Sequence, residues 1–200
     1  DEDEQYKAYY DVLKKFKNKP VILRTLDIGG DKTLSALDLP KEDNPFLGCR
    51  AIRLCFSKPE IFKTQLRAAL RASAHGPLHL MFPMIGSLDD WYKAKDFVES
   101  TKRELEKEGK AFDHNIPLGI MIEVPSAALL SDRLAREVDF ASVGTNDLCQ
   151  YLHAADRLNP HVSQYYQSYS PAMLRVLHYV AQQYKAADTP VSTVSYTHLT

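Results

Sequence analysis

The sequence predicts an α/β protein of the (β/α)8, TIM-type barrel class, with about five to six strand–helix units present and the barrel therefore incomplete. Three observations lead there. Short apolar runs alternate with longer stretches of helical period, which is the pattern of parallel βα units. Several of those runs end in polar or ionisable residues: Arg24 to Asp27, Glu123, and Asn146 with Asp147. In barrels the C-terminal strand ends form the active face, whereas an open sheet equips chiefly one crevice. Finally, neither GxGxxG nor GxxxxGK[ST] occurs, so the two common nucleotide fingerprints of open α/β sheets are absent.

The elements follow in order. Residues 21–27 (VILRTLD) read as a buried strand ended by Gly29 and Gly30. Ser57-Lys58-Pro59-Glu60 reads as a capping box with proline in the first turn. The helix it opens places Ile61, Leu66, Ala69 and Leu70 on one face and stops at Gly76-Pro77. Residues 78–83 form the next strand. Ser87 caps a long helix with Leu88, Trp91, Ala94, Val98 and Leu105 at helical spacing, stopped at Gly109. Residues 118–124 are a third strand, followed by a helix to about Arg136; residues 140–144 are a fourth. Ser170-Pro171 supplies an N-cap and an N1 proline for a helix to about Ala187. A further strand begins at residues 189–192.

Composition excludes several classes. Lys plus Arg number 25 and Asp plus Glu 26, so no global field favours nucleic acid or an anionic membrane. No apolar run approaches the roughly 20 residues that span a bilayer, and the N-terminal residues lack the basic and apolar regions of a secretory signal. Their abrupt, charged, helix-like start suggests a cut within a longer chain. Cys49, Cys55 and Cys149 are odd in number and lack CxxC spacing, which favours structural thiols and a cytoplasmic, reducing setting.

Glu123 and Asp147 each follow an apolar strand and lie 24 residues apart, one strand–helix–loop step. Two neighbouring carboxylates suit Mg2+, which takes one or two protein carboxylates and completes its octahedron with water and substrate oxygens. A helix-capping Asp147 and an arginine-paired Glu123 fit the spacing equally well. Arg24, inside an apolar run, must find a partner, and planar guanidinium forks match phosphate and carboxylate oxygens. Arg50 follows the turn-forming residues 44–48 (NPFLG), and Arg157 joins the same group of cations. Arg53 reads as solvent-facing, and Arg67 and Arg71 as a solvated helix face. Gly144 permits close backbone approach, and Asn146 adds a neutral donor. The seven histidines lack metal spacing, and Met81 and Met84 read as core. Cations plus a two-carboxylate metal site predict a ligand carrying both phosphate and carboxylate.

Five stretches in order carry a resemblance: 24–32 (RTLDIGGDK), 44–53 (NPFLGCRAIR), 81–84 (MFPM), 123–127 (EVPSA) and 143–151 (VGTNDLCQY) running on to Asp156-Arg157. Together they resemble the C-terminal, phosphoenolpyruvate-utilising barrel domain of the Enzyme I family of bacterial phosphoenolpyruvate:sugar phosphotransferase systems. The resemblance implies that Arg24, Arg50 and Arg157 hold the ligand's phosphate and carboxylate. Asn146 would donate to the phosphate, and Glu123 and Asp147 would ligate Mg2+ (or Mn2+), with Asp147 also facing the ligand. It further implies phosphoryl transfer to a histidine on an N-terminal domain and then to the carrier HPr, release of pyruvate, a homodimer through the barrel, and neither nucleic-acid binding nor membrane insertion.

The departures bear on this chain. The histidine-bearing and HPr-binding domains, and the Cys-Gly-Glu segment expected on the sixth strand, match nothing in it, so no catalytic residue proper is assigned. Residues 1–192 are expected to form the partial barrel domain and 193–200 an unrelated tail, and the chain to be marginally stable, binding its ligand without turnover. Two other readings remain: a pyruvate phosphate dikinase or phosphoenolpyruvate synthase barrel, and a non-catalytic phosphoenolpyruvate-binding dimerisation module. A carbon–carbon lyase barrel fits the Glu–Asp pair but not residues 27–32.

Overall fold

In the computed structural model, residues 1–29 and 42–194 are described. Residues 30–32 of the first motif, and the end of the expected tail, lie outside them. Two compact units are present, one of Asp1–Met84 with Tyr92–Leu118, the other of Ile85–Trp91 with Gly119–Thr200.

The first unit begins with α1 (Glu2–Phe16), capped by a reciprocal box in which the Asp1 side chain accepts from Glu4 N. Strand β1 (Val21–Arg24) pairs in parallel with β2 (Leu78–Phe82), Val21 opposite Leu78 and Arg24 opposite Met81. Between them come α2 (Ile52–Ser57) and α3 (Pro59–Ser73). Most of α4 (Leu88–Lys107) also belongs here; Ser87 Oγ accepts from Asp90 N at its start, and Trp91, Ala94, Val98 and Leu105 are buried along one face.

The predicted capping box at Ser57 is not formed. Ser57 ends α2, where its hydroxyl donates to Leu54 O, and α3 starts at Pro59 with Lys58 as an N-cap that makes no side-chain hydrogen bond. A short apolar helix directly upstream takes the serine for its own C-terminus. On α3, Phe62 is buried and Ile61 only half-buried; Phe62 stands edge-on to both Phe82 and Phe97 in the core. Arg67 and Arg71 are not a solvated face. Arg67 binds Glu2 at 2.6 Å and Glu108 at 2.6 Å, and Arg71 binds Glu2 at 2.6 Å and Asp3 at 2.8 Å, pinning α1 and α4 to α3.

The second unit holds most of β3 (Leu118–Ile122), with β4 (Phe140–Gly144) and β5 (Val191–Val194) beside it in parallel, Gly119 opposite Phe140 and Ala141 opposite Val191. All five residues of β3 and of β4 are buried, as strands covered on both faces must be. The single helix predicted after β3 is two short ones, α5 (Pro125–Leu129) and α6 (Ser131–Leu134), meeting at Leu130. Helix α7 (Thr145–His153) starts directly from β4. As predicted, α8 (Pro171–Ala186) is N-capped by Ser170, whose hydroxyl accepts from Met173 N. The strand expected as the sixth is the fifth among the described residues, and it includes Thr193 and Val194.

The chain is thus α/β, built from parallel strand–helix repeats of the (β/α)-barrel type, with five strands among the described residues where a closed barrel has eight.

Candidate functional site

In the first unit the backbone after β1 is held almost residue by residue. Thr25 N donates to Met81 O (2.9 Å), Leu26 N donates to the Gln65 side-chain oxygen (2.8 Å), and Ile28 O accepts from Ala51 N (3.0 Å). Gly29 follows at φ +107°, and a Cβ there would lie 2.5 Å from Arg50 Cβ. Only glycine allows this loop to rest on the Arg50 backbone. The turn before Arg50 is a single 3-10 turn over Pro45–Leu47, consistent with the expectation of a turn there. Arg53, exposed as predicted, donates to Leu47 O (3.0 Å) and Gly48 O (3.2 Å) and so braces that turn.

These constraints bring two predicted residues onto a third. Asp27 Oδ2 lies 3.2 Å from Arg24 Nη1, and Asp27 Oδ1 lies 3.0 Å from Arg50 Nη2. The Arg50 side chain is 1% exposed and the Arg24 side chain 30% exposed, so Arg24 is the solvent-facing member. The Arg50 guanidinium also lies 5.7 Å from the Phe46 ring centre. Two guanidinium ions thus share one buried carboxylate.

In the second unit Glu123 follows β3 with 2% exposure, and Asp147 lies in the first turn of α7 with 6% exposure. Gly144, the last residue of β4, makes room for the first of them: a Cβ on it would lie 2.7 Å from Glu123 Oε2. Asp147 Oδ1 accepts from Arg157 Nη1 at 2.8 Å. Gln150, one turn beyond Asn146 on α7, accepts from Arg157 N through its side-chain oxygen (3.0 Å). Its buried Nε2 meets no acceptor among the described residues. Tyr166 donates to Asn146 O (3.2 Å) and lies 3.4 Å from Asn146 Oδ1, and burial raises its phenol above the usual range. Of the two buried carboxylates, Asp147 is the one that pairs with Arg157 at 2.8 Å.

Among the described residues no three His, Cys, Asp or Glu side chains converge as a metal cluster. Mg2+ needs fewer, since one or two carboxylates and oxygen ligands from water and substrate suffice; Glu123 and Asp147 are carboxylates of the type it takes, both buried. The cysteines are free thiols, and burial pushes Cys55 up to about 12 and raises Cys149, which suits inert structural roles. Met81 and Met84 are buried, as predicted.

The sequence offers Arg24, Arg50, Glu123, Asn146, Asp147 and Arg157 as candidates, with no role for Asp27 beyond a polar strand end and none for Gln150 or Tyr166. For Gln150 a signal existed, because it lies four residues from Asn146 and hence on one helical face. Tyr166 lies 20 residues from Asn146 in an irregular stretch, and no periodicity links them.

Parallel strand–helix repeats with ionisable residues at the strand ends define an α/β enzyme-type barrel domain. Residues 1–194 match the PEP-utilising enzyme, PEP-binding domain family, and the chain belongs to that family. It is 55% identical over 176 residues to the phosphoenolpyruvate-protein phosphotransferase of Bacillus subtilis, which covers 88% of this chain and 31% of that protein. It is 54% identical over 176 residues to the protein of the same name from Listeria monocytogenes, with the same coverage. The chain therefore spans about a third of the length of these curated relatives. Among solved structures it is similar to the magnesium/glyoxylate complex of Haloferax volcanii malate synthase, with a TM-score of 0.62 and 16% identity over 98% of this chain and 51% of that one. It is also similar to a citrate lyase from Burkholderia xenovorans, with a TM-score of 0.53 and 22% identity over 69% of this chain and 42% of that one. At such identities the likeness concerns the fold alone. No helix among the described residues is long and apolar enough to cross a membrane.

Proposed function

We propose that this chain is the phosphoenolpyruvate- and Mg2+-binding part of a cytoplasmic phosphoenolpyruvate-protein phosphotransferase, which passes the phosphoryl group to a histidine of an N-terminal domain and then to HPr for sugar uptake. The observation that supports it most is the joining of Arg24 and Arg50, from two of the motifs shared with that family, on the single buried carboxylate of Asp27. Two planar guanidinium forks held on one carboxylate suit a ligand with two anionic groups.

In this reading Arg24, Arg50 and Arg157 take the phosphate and carboxylate of phosphoenolpyruvate, and Asn146 donates to the phosphate. Tyr166 lies against the Asn146 side-chain oxygen, which favours the amide turning its N–H groups elsewhere. Glu123 and Asp147 hold Mg2+, with Asp147 also facing the ligand, while Arg157 fixes the Asp147 carboxylate. When bound, Mg2+ would supply charge neutralisation for the phosphoryl and enolate oxygens. Expressed as these 200 residues, the chain binds without turnover, because no residue in it matches the acceptor histidine or the proton-donor cysteine that the family resemblance calls for. Self-association would use apolar side chains of the second unit such as Leu158, Tyr165, Tyr169 and Leu174, which are 55–88% exposed.

Calorimetry of phosphoenolpyruvate binding to the chain, with Mg2+ and then with chelator, tests the reading. It predicts saturable binding that needs the metal and is lost in Arg50→Ala. Equal heats with and without metal, or no binding by a chain that melts cooperatively, would contradict it.

A further inference from the structure

We propose that Asp27 is a positioning residue, whose carboxylate holds the Arg24 and Arg50 guanidinium groups in one fixed geometry and so sets the preference for a ligand with two anionic groups over a simple phosphate. The proposal rests on the phosphoenolpyruvate reading for its ligand, and on the first unit alone for its geometry.

Three features carry it. The carboxylate is divided: Oδ1 takes Arg50 Nη2 at 3.0 Å and Oδ2 takes Arg24 Nη1 at 3.2 Å, so each of its oxygens has one of the two arginines within ion-pair distance. A guanidinium has five N–H donors in a rigid plane, and the orientation of that plane decides where the others point. Next, Asp27 is itself immobilised. Its side chain is 4% exposed, and the backbone around it is tied at Thr25, Leu26 and Ile28 to β2, α3 and the residue after Arg50. Last, the carboxylate's negative charge lies beside both cations and offsets their mutual repulsion, and Arg24 is the partly exposed one of the two.

Charge and geometry pull in opposite directions when the carboxylate is removed, which makes the role measurable. Asp27→Asn removes one negative charge from beside both arginines, which favours any small anion, but dissolves the fixed arrangement needed by a ligand with two separated anionic groups. Affinities for phosphoenolpyruvate and for inorganic phosphate are measured by calorimetry for the wild-type chain, Asp27→Asn, Arg24→Ala and the double variant. We expect the ratio of the two affinities to fall about tenfold or more in Asp27→Asn, the size of one charge-assisted contact. In the Arg24→Ala background the same change should move the ratio by less than about threefold, because neighbours acting through one another are not additive. A general loss of packing would lower both affinities together and would add in the double variant.

A ratio unchanged within about threefold in Asp27→Asn, or an equal fall with and without Arg24, overturns the proposal. Should the Asn variant fail to melt cooperatively, Asp27→Glu, which keeps the charge but moves it by one methylene, carries the same comparison. Should the wild-type chain bind no phosphoenolpyruvate, the ligand reading fails separately. Asp27 is then judged by the side-chain N–H signals of Arg24 and Arg50 in nitrogen-15 NMR: slow, resolved exchange that collapses in Asp27→Asn supports positioning, and identical exchange in both refutes it.

Discussion

The two units use the same side-chain chemistry in opposite proportion. In the first, two arginines surround one aspartate; in the second, one arginine meets one of two buried carboxylates. Each arrangement is an ion-pair network that would serve stability poorly if stability were its only purpose, since desolvating charges costs about what their pairing returns. What differs is which side chain is in the majority: guanidinium groups, which match anions, in the first, and carboxylates, which match cations, in the second. The lesson is that the majority side chain at each place, more than any one pair, is what a ligand would meet.

The comparison can be broken most sharply at Arg50. Its truncation to alanine removes the fully buried one of the two arginines that Asp27 pairs with and leaves Arg24, the partly exposed one, which costs up to about 3 kcal/mol of stability. The variant should melt well below wild type in a calorimetric scan and lose measurable phosphoenolpyruvate affinity. An Arg50→Ala chain that melts normally and still binds would show that the first network does neither job. In the second unit Gly144→Ala should follow in size. Its Cβ would come within 2.7 Å of Glu123 Oε2 and 2.9 Å of Glu123 Cβ, so the carboxylate has to move, at about 1–3 kcal/mol. The change should weaken metal affinity more than phosphate affinity, as titration with each ligand alone would reveal.

The smallest effect is a control on charge pairing away from either site. Burial works to raise the Glu2 carboxyl, but the Arg67 and Arg71 hydrogen bonds outweigh it and leave it below the usual glutamate value. A carboxyl lowered on folding stabilises the fold above its unfolded pKa, and this stabilisation fades as pH falls through the lower folded one. The melting temperature should therefore start to drop below about pH 4. Arg67→Ala should cost about 1 kcal/mol at neutral pH and blunt that drop. A pH profile unchanged by the substitution would remove Arg67 from the account.

Much of the architecture was legible because strands buried on both faces are near-continuous apolar runs, as in residues 118–122 and 140–144. The capped starts at Ser87 and Ser170 were legible for a local reason, since a cap is fixed within four residues of sequence. Ser57 misled for the same locality: its S-x-x-E spacing is genuine, but the helix before it is short and was not anticipated, and the serine closes that one instead. Arg67 and Arg71 were misjudged because their helix spacing marks a polar face without saying what packs on it; the partners Glu2 and Glu108 are 65 and 41 residues away. The candidate carboxylates Glu123 and Asp147 were visible as charges where apolar runs end, Arg24 as a charge inside such a run, and Arg50 by the turn before it. Asp27 was visible as a residue but not as a hinge between two arginines, because its bond to Arg50 spans 23 residues through a glycine-dependent loop contact.

The assignment of the anion to Arg24 and Arg50 and of the metal to Glu123 and Asp147 is tested most directly by a crossed titration. Phosphoenolpyruvate binding is followed by calorimetry and Mn2+ binding by electron paramagnetic resonance, in wild type, Asp27→Asn and Glu123→Gln. The account predicts that Glu123→Gln loses Mn2+ affinity by about tenfold or more, as expected when one of two carboxylate ligands is neutralised, while Asp27→Asn leaves it within about threefold and alters only the anion. Loss of both ligands in both variants, or of Mn2+ in Asp27→Asn alone, would contradict it.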